Sequence, residues 1–124
     1  MSRDELASKL GSPSLVVVNV LAAGAYAKIR IKGSISIPRN ELEQGRWREL
    51  DRSKEIVVHC SSYECEASRV AASFLEEKGF DVKAYEGGIK EWAEAGLPTE
   101  GTISAARFVE ERYGNPLAGA RSTG

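Results

Sequence analysis

The chain of 124 residues holds two cysteines, Cys60 and Cys65, five positions apart in the stretch "EIVVHCSSYECEASRVAASFLEEKGF" (55–80). A thiolate is the strongest nucleophile the twenty side chains offer near neutral pH, so thiol chemistry is what this stretch can do. Cys60 closes the apolar run Ile56-Val57-Val58, and a helical pattern begins near Ser68. The first N–H groups of a helix lack intrahelical partners and carry partial positive charge. A thiolate of Cys60 placed against them is stabilised, which lowers its pKa, and the same groups can hold a sulfur or phosphorus oxyanion. The competing reading is a buried, inert cysteine that ends a strand.

The neighbours of Cys60 modify that chemistry. Cys65 is either a resolving thiol, close enough across a tight loop to react with a sulfur carried on Cys60, or an inward-turned side chain where the helix starts. Ser61 and Ser62 can donate to a carried sulfur or satisfy the loop backbone. Tyr63 is expected at the exposed mouth, where a partner can meet it. Glu64 and Glu66 oppose a thiolate and repel anions, each by tenths to about 1 kcal/mol at a surface. Ala67, Ser68 and Arg69 complete the loop and open the helix. His59, next to Cys60 on an extended strand, is expected on the opposite face, packed rather than acting as a base. Two cysteines and one histidine are too few for a metal site, so no metal is expected.

The elements that must position these residues follow from pattern. Ser2 and Glu5 have capping-box spacing ahead of a helix over 3–10. "SLVVVNV" (14–20) and "KEIVVHC" (54–60) are apolar runs without alternation, the mark of strands buried on both faces of a parallel sheet. "LAAGAYAKI" (21–29) reads as a short helix, "GSISIP" (33–38) as a strand, and "NELEQGRWREL" (40–50) as a helical stretch broken by glycine. "SRVAASFLEEKG" (68–79) is a helix with Val70, Phe74 and Leu75 expected inward, and Gly79 stops it. "DVKAY" (81–85) is a third core strand, and "IKEWAEAG" (89–96) a helix after the Gly87-Gly88 turn. "SAARFVEERYG" (104–114) fits an amphipathic helix, and the Gly/Ser/Ala-rich 115–124 a frayed tail. Strands alternating with helices give an α/β fold in one domain, 1–124, with its core over about 3–100.

Net charge of -1 gives no field that recruits nucleic acid or an anionic membrane. The one local basic run, "KIRIK" (28–32), reads as a solvated edge. No apolar run approaches the roughly 20 residues of a membrane span. The N-terminus has no apolar signal core. Two cysteines do not make a disulfide scaffold, so a reducing, cytoplasmic setting is expected.

The order of "VVVNVL", "GSISIP", "EIVVHC", "SRVAASFLEEKGF" and "YEGGIKEWAEAGLP" resembles a rhodanese-like domain from about Leu15 to Pro98. Its most specific piece is V-x-A-Y-E-G-G-I-x-x-W-x-x-x-G-L-P (82–98). The resemblance implies a five-stranded, mostly parallel sheet flanked by helices on both faces. It implies a sulfurtransferase in which Cys60 carries a sulfane sulfur as a persulfide, without metal or organic cofactor. A small sulfur donor, a thiol or cyanide-like acceptor, and a sulfur-accepting protein are the implied partners.

Several positions depart from the family pattern. The loop is longer than the frequent C-x-x-G-x-R form, and Ala67 stands where its arginine would. Asn19-Val20-Leu21 replaces Asp-x-Arg, and Arg30-Ile31-Lys32-Gly33-Ser34 replaces His-Ile-x-Gly-Ala. These features resemble a rhodanese-like branch with an N-V-L start and a C-x4-C loop. An acidic loop without its arginine is expected to bind thiosulfate or phosphate less well. The alternative function is a non-catalytic or redox-sensing binding module of the same fold. A phosphatase or arsenate reductase would need C-x5-R, and position 66 is Glu.

Overall fold

The computed structural model describes residues 1–113. The tail reading for 115–124 lies outside the described residues. In chain order the elements are α1 (Arg3–Lys9), β1 (Leu15–Asn19), α2 (Ala23–Lys28), β2 (Arg30–Ile31), β3 (Ile35–Ser36), α3 (Arg39–Glu43), a 3-10 turn (Arg46–Glu49), β4 (Glu55–His59), α4 (Ala67–Glu77), β5 (Val82–Tyr85), α5 (Gly88–Glu94), β6 (Thr99–Glu100) and α6 (Ala105–Tyr113).

The two β-branched runs lie side by side as β1 and β4, paired in parallel from Leu15↔Glu55 to Asn19↔His59. The main sheet has the order β3-β1-β4-β5, and all its pairings are parallel. It has four strands where five were expected. Arg30 and Ile31 pair instead with Glu100 and Thr99 as a small antiparallel ribbon outside the sheet. The reason is visible in "KIRIK": Ile29 and Ile31 are buried while both lysines are exposed. One face of that segment is therefore solvated, as an edge ribbon allows and a doubly covered parallel strand does not.

Alternation along β1 and β4 divides the core into two layers. Val18, Val20, Ile56, Val58 and Cys60 pack against Leu42 of α3 and Ala71 and Leu75 of α4. Val17, Val57 and Tyr85 pack on the other face against Leu6 of α1, Ile89 and Trp92 of α5, and Phe108 of α6. Helices thus cover both faces, as expected.

The buried stripe of α4 differs from the expected one. Ser68, Ala71 and Leu75 face inward, Phe74 is partly buried, and Val70 is 39% exposed. Small Ala71 lets the helix approach β4 closely, and that approach turns Val70 out. At the N-terminus the Glu5 N–H donates to the Ser2 hydroxyl at 3.1 Å, the capping contact the sequence suggested. The 40–50 stretch is broken at Gly45, whose φ of 139° ends α3 and starts the 3-10 turn.

Candidate thiol site

β1, β4 and β5 end in register, with Asn19, His59 and Tyr85 abreast. The chain then leaves β4 at Cys60 and runs through a loop to α4. Open parallel sheets gather ligands at this end. Two features fix the loop's start. The Ile89 N–H donates to the Cys60 carbonyl at 3.0 Å, and the Lys90 N–H to the Ser61 carbonyl at 2.9 Å. The first turn of α5 therefore grips the two residues that carry the chain out of the strand. Gly88 makes this approach possible: its φ is +65°, and a Cβ there would lie 2.6 Å from both the Cys60 carbonyl oxygen and the Ser61 carbonyl carbon. The Gly87-Gly88 pair, read in the sequence as a turn, is also the clamp on the loop.

Inside the loop the Cys65 N–H donates to the Ser62 carbonyl at 3.0 Å, closing a tight turn. That turn brings the two cysteines together, and both are free thiols. The Cys60 thiol donates to the Cys65 carbonyl at 3.4 Å. α4 has no side-chain N-cap. The N–H groups of its first turn favour the thiolates instead, that of Ser68 acting on Cys60 and that of Ala67 on Cys65. The Ser68 hydroxyl is buried with no hydrogen-bond partner among the described residues, and it lies near enough to Cys60 to favour its thiolate. The Ser61 hydroxyl and N–H act on Cys65.

The two thiols differ in a way the spacing did not foretell. Cys60 is 0% exposed and Cys65 is half-buried. Burial pushes the Cys60 thiol up, and the hydrogen bond with the Cys65 thiol adds to it. The Ser68 hydroxyl and N–H work the other way without winning. Partial burial also works to raise Cys65. There it is outweighed by the hydrogen bond from the Cys60 thiol and the N–H groups of Ala67 and Ser61, so Cys65 is lowered. The expected lowering of Cys60 is thus corrected. The helix start does supply donors, but the apolar layer around Cys60 desolvates its charged form more strongly.

The other expected residues fall as follows. Tyr63 is 60% exposed, and its hydroxyl donates to Glu91 Oε2 at 2.9 Å. Glu91 Oε1 accepts from the buried Tyr85 hydroxyl at 2.8 Å, so this one carboxylate ties the loop tip to the sheet end. Sequence reasoning missed Glu91, whose only signal was its place one turn into the helix after Gly87-Gly88. Glu64 and Glu66 are exposed. Arg69 turns away from the thiols. Its Nη1 donates to the Tyr63 carbonyl at 3.3 Å and to Glu86 Oε1 at 3.1 Å, lacing the loop from outside. It does not stand in for the missing loop arginine.

His59 is fully buried, and its pKa is pushed down to about 4 by burial, against the opposing effect of its contact with the Cys60 carbonyl. Nδ1 lies 3.4 Å from that carbonyl oxygen. Nε2, and Nδ2 of its neighbour Asn19, have no hydrogen-bond partner among the described residues. It is a packed, neutral histidine, as expected, and it touches the backbone of Cys60 rather than its sulfur. A cavity of about 110 Å³, lined by Leu21, Ile29, Ser61, Ile89 and Phe108 among others, adjoins the loop, but neither cysteine lines it. Among the described residues no three of His, Cys, Asp and Glu group as metal ligands, and no helix is long and apolar enough to cross a membrane.

This sheet, with a cysteine at the end of a central strand and a helix start facing it, matches a known family. The rhodanese-like domain model matches residues 2–95, and the chain belongs to that family. The chain is 31% identical over 100 residues to an HTH-type transcriptional regulator of Mycobacterium tuberculosis, covering 81% of this chain and 44% of the regulator. The chain thus spans less than half the length of that relative. Among solved structures, a protein from Bacillus halodurans is 31% identical with a TM-score of 0.79, over 85% of this chain and 78% of that one. A thiosulfate sulfurtransferase from Pseudomonas aeruginosa is 30% identical with a TM-score of 0.70, over 85% of this chain and 20% of that one.

Proposed function

We propose that the chain is a sulfurtransferase or persulfide carrier that holds a sulfane sulfur on Cys60 and passes it to a thiophilic acceptor. The observation that carries this reading is the seat of the Cys60 sulfur, at the end of β4 against the Ser68 N–H and hydroxyl. Those donors favour the sulfur anion left on Cys60 when the outer sulfur departs. In transfer, the acceptor's thiolate or cyanide attacks the outer sulfur. The new bond forms as the Cys60 S–S bond breaks, and the electron pair stays on Cys60. No cofactor enters these steps.

The donor is better read as a low-molecular-weight persulfide than as thiosulfate. Glu64 and Glu66 are exposed on the loop, and Arg69 is engaged with Glu86. A dianion approaching this mouth meets stronger like-charge repulsion than a persulfide, which carries at most one negative charge on its sulfurs. A sulfur-accepting protein could meet the mouth at Tyr63.

A second reading is a redox-sensing or binding module. It draws on the complete burial of Cys60 and on the similarity to a transcriptional regulator.

Intact mass separates the two. The reduced chain is exposed to cysteine persulfide and, separately, to thiosulfate, then fragmented to locate any added sulfur. One sulfur on Cys60 at equilibrium, removed by cyanide and absent from the Cys60→Ser/Cys65→Ser double variant, supports the carrier. No gain from either donor supports the module.

A further inference from the structure

We propose that Cys65 is the thiol on which incoming sulfur first lands, and that it relays the sulfur inward to Cys60. The proposal rests on the carrier reading above and deepens it. It assigns the second cysteine a catalytic role that precedes, rather than follows, loading of Cys60.

Three independent observations meet here. The first is access. Cys60 is 0% exposed, sealed between the apolar layer of Val18, Val20 and Ala71 and the loop that passes over it. Cys65 is half-buried in that loop and is the sulfur nearer solvent. A donor bearing a leaving thiol has to align three sulfurs in a row for displacement, and that needs open space on one side of the attacking atom. Only Cys65 has it.

The second is the set of donors around Cys65. The N–H groups of Ala67 and Ser61 and the Ser61 hydroxyl favour its thiolate. These groups sit on the gripped start of the loop and the first turn of an eleven-residue helix, so they are held in place before any substrate arrives. They lower this thiol, while burial raises the other.

The third is the link between the thiols. The Cys60 thiol donates to the Cys65 carbonyl at 3.4 Å, so its proton lies beside the residue that receives it in the second step.

The steps balance without an external oxidant or reductant. The Cys65 thiolate attacks the outer sulfur of a persulfide R–S–SH. A bond forms from Cys65 to that sulfur, the donor's S–S bond breaks, and the thiolate R–S⁻ leaves. Cys60 then attacks the same outer sulfur, its proton passing to the Cys65 sulfur as that becomes the leaving group. The products are the Cys60 persulfide and a regenerated Cys65 thiol.

The test is a quenched-flow time course on the whole chain with cysteine persulfide as the probe. Samples are trapped with a fast alkylating agent and fragmented to place the sulfur. In the wild type the added sulfur is expected on Cys65 at the earliest times and on Cys60 later. Cys65→Ser and Cys65→Ala are expected to reach the same endpoint on Cys60 at least about tenfold more slowly, because the donor must then wait for the loop to open. Cys60→Ser is expected to take up sulfur and to keep it on Cys65. The wild-type order of appearance does not depend on any variant folding. Sulfur seen first on Cys60, with Cys65→Ser loading at the wild-type rate, overturns the relay and leaves the carrier function standing. A Cys60–Cys65 disulfide with release of sulfide overturns it too. Failure of sulfur to reach Cys60 at any time overturns both.

Discussion

Replacing the buried Gly88 by alanine should cost far more than one added methyl group suggests. Two effects add. At a φ of +65° any L side chain sits in the left-handed region, at about 1 to 2 kcal/mol. The new Cβ would also lie 2.6 Å from the Cys60 carbonyl oxygen and the Ser61 carbonyl carbon, and both neighbours are backbone that cannot rotate away. Relief requires α5 to draw back. That weakens the bonds from the Ile89 and Lys90 N–H groups, each worth about 1 kcal/mol. The expected loss is therefore about 3 to 4 kcal/mol. Gly96 is the control. Its φ is +71°, but nothing lies within 4 Å of its added Cβ. Gly96→Ala should lose only the conformational part, about 1 to 2 kcal/mol. Urea unfolding of both variants measures the difference, since a chain of this size is expected to unfold in one step. Gly88→Ala should also raise the alkylation rate of Cys60, because the loop start is no longer gripped. Equal losses in the two variants, or an unchanged Cys60 rate, would refute the clamp.

Other perturbations test other joints of the structure. The His59 pKa lies below its unfolded value of about 6.5, so the unfolded chain binds the proton more readily. Its contribution is present above pH 6.5 and is lost as pH falls toward 4, reaching about 3 kcal/mol; urea titrations across that window should show a shallower slope in His59→Leu than in the wild type. Leu75→Ala should cost about 2 to 5 kcal/mol and Val70→Ala no more than about 0.5, the reverse of which would mean α4 presents its other face. Glu91→Ala leaves the buried Tyr85 hydroxyl unpaired and should cost about 1 to 3 kcal/mol in thermal or urea unfolding, whereas Tyr63→Phe, at an exposed ring, should change stability by less than about 0.5.

Much of the fold could be read from runs and punctuation. β1 and β4 carry the unalternating apolar runs Leu15 to Val18 and Ile56 to Val58 because both sheet faces are covered. Gly79, with a φ of 89°, stops α4 close to where the sequence placed its end. Cys60 at a strand end ahead of a helix start was equally legible, since strand, loop and helix lie next to one another in the chain. The parts that escaped depend on residues distant in sequence. The ribbon joining Arg30 and Ile31 to Glu100 and Thr99 needs a partner across most of the chain, and its two short strands carry no pattern of their own. The outward turn of Val70 is set by how closely Ala71 approaches β4, which periodicity alone leaves within one position. The reversal of the two thiols was hidden for the same reason. Local reasoning sees the helix N–H groups near Cys60, but the layer that desolvates it comes from β1, α3 and α4 together.

The central claim is that sulfur passes through this chain on Cys60. A single-turnover experiment tests it most directly: the reduced chain is loaded with an isotopically labelled persulfide, freed of excess donor, and mixed with cyanide. About one equivalent of labelled thiocyanate per chain is the expected result, with none from the Cys60→Ser/Cys65→Ser double variant. A wild type that releases no more thiocyanate than the double variant would contradict the account.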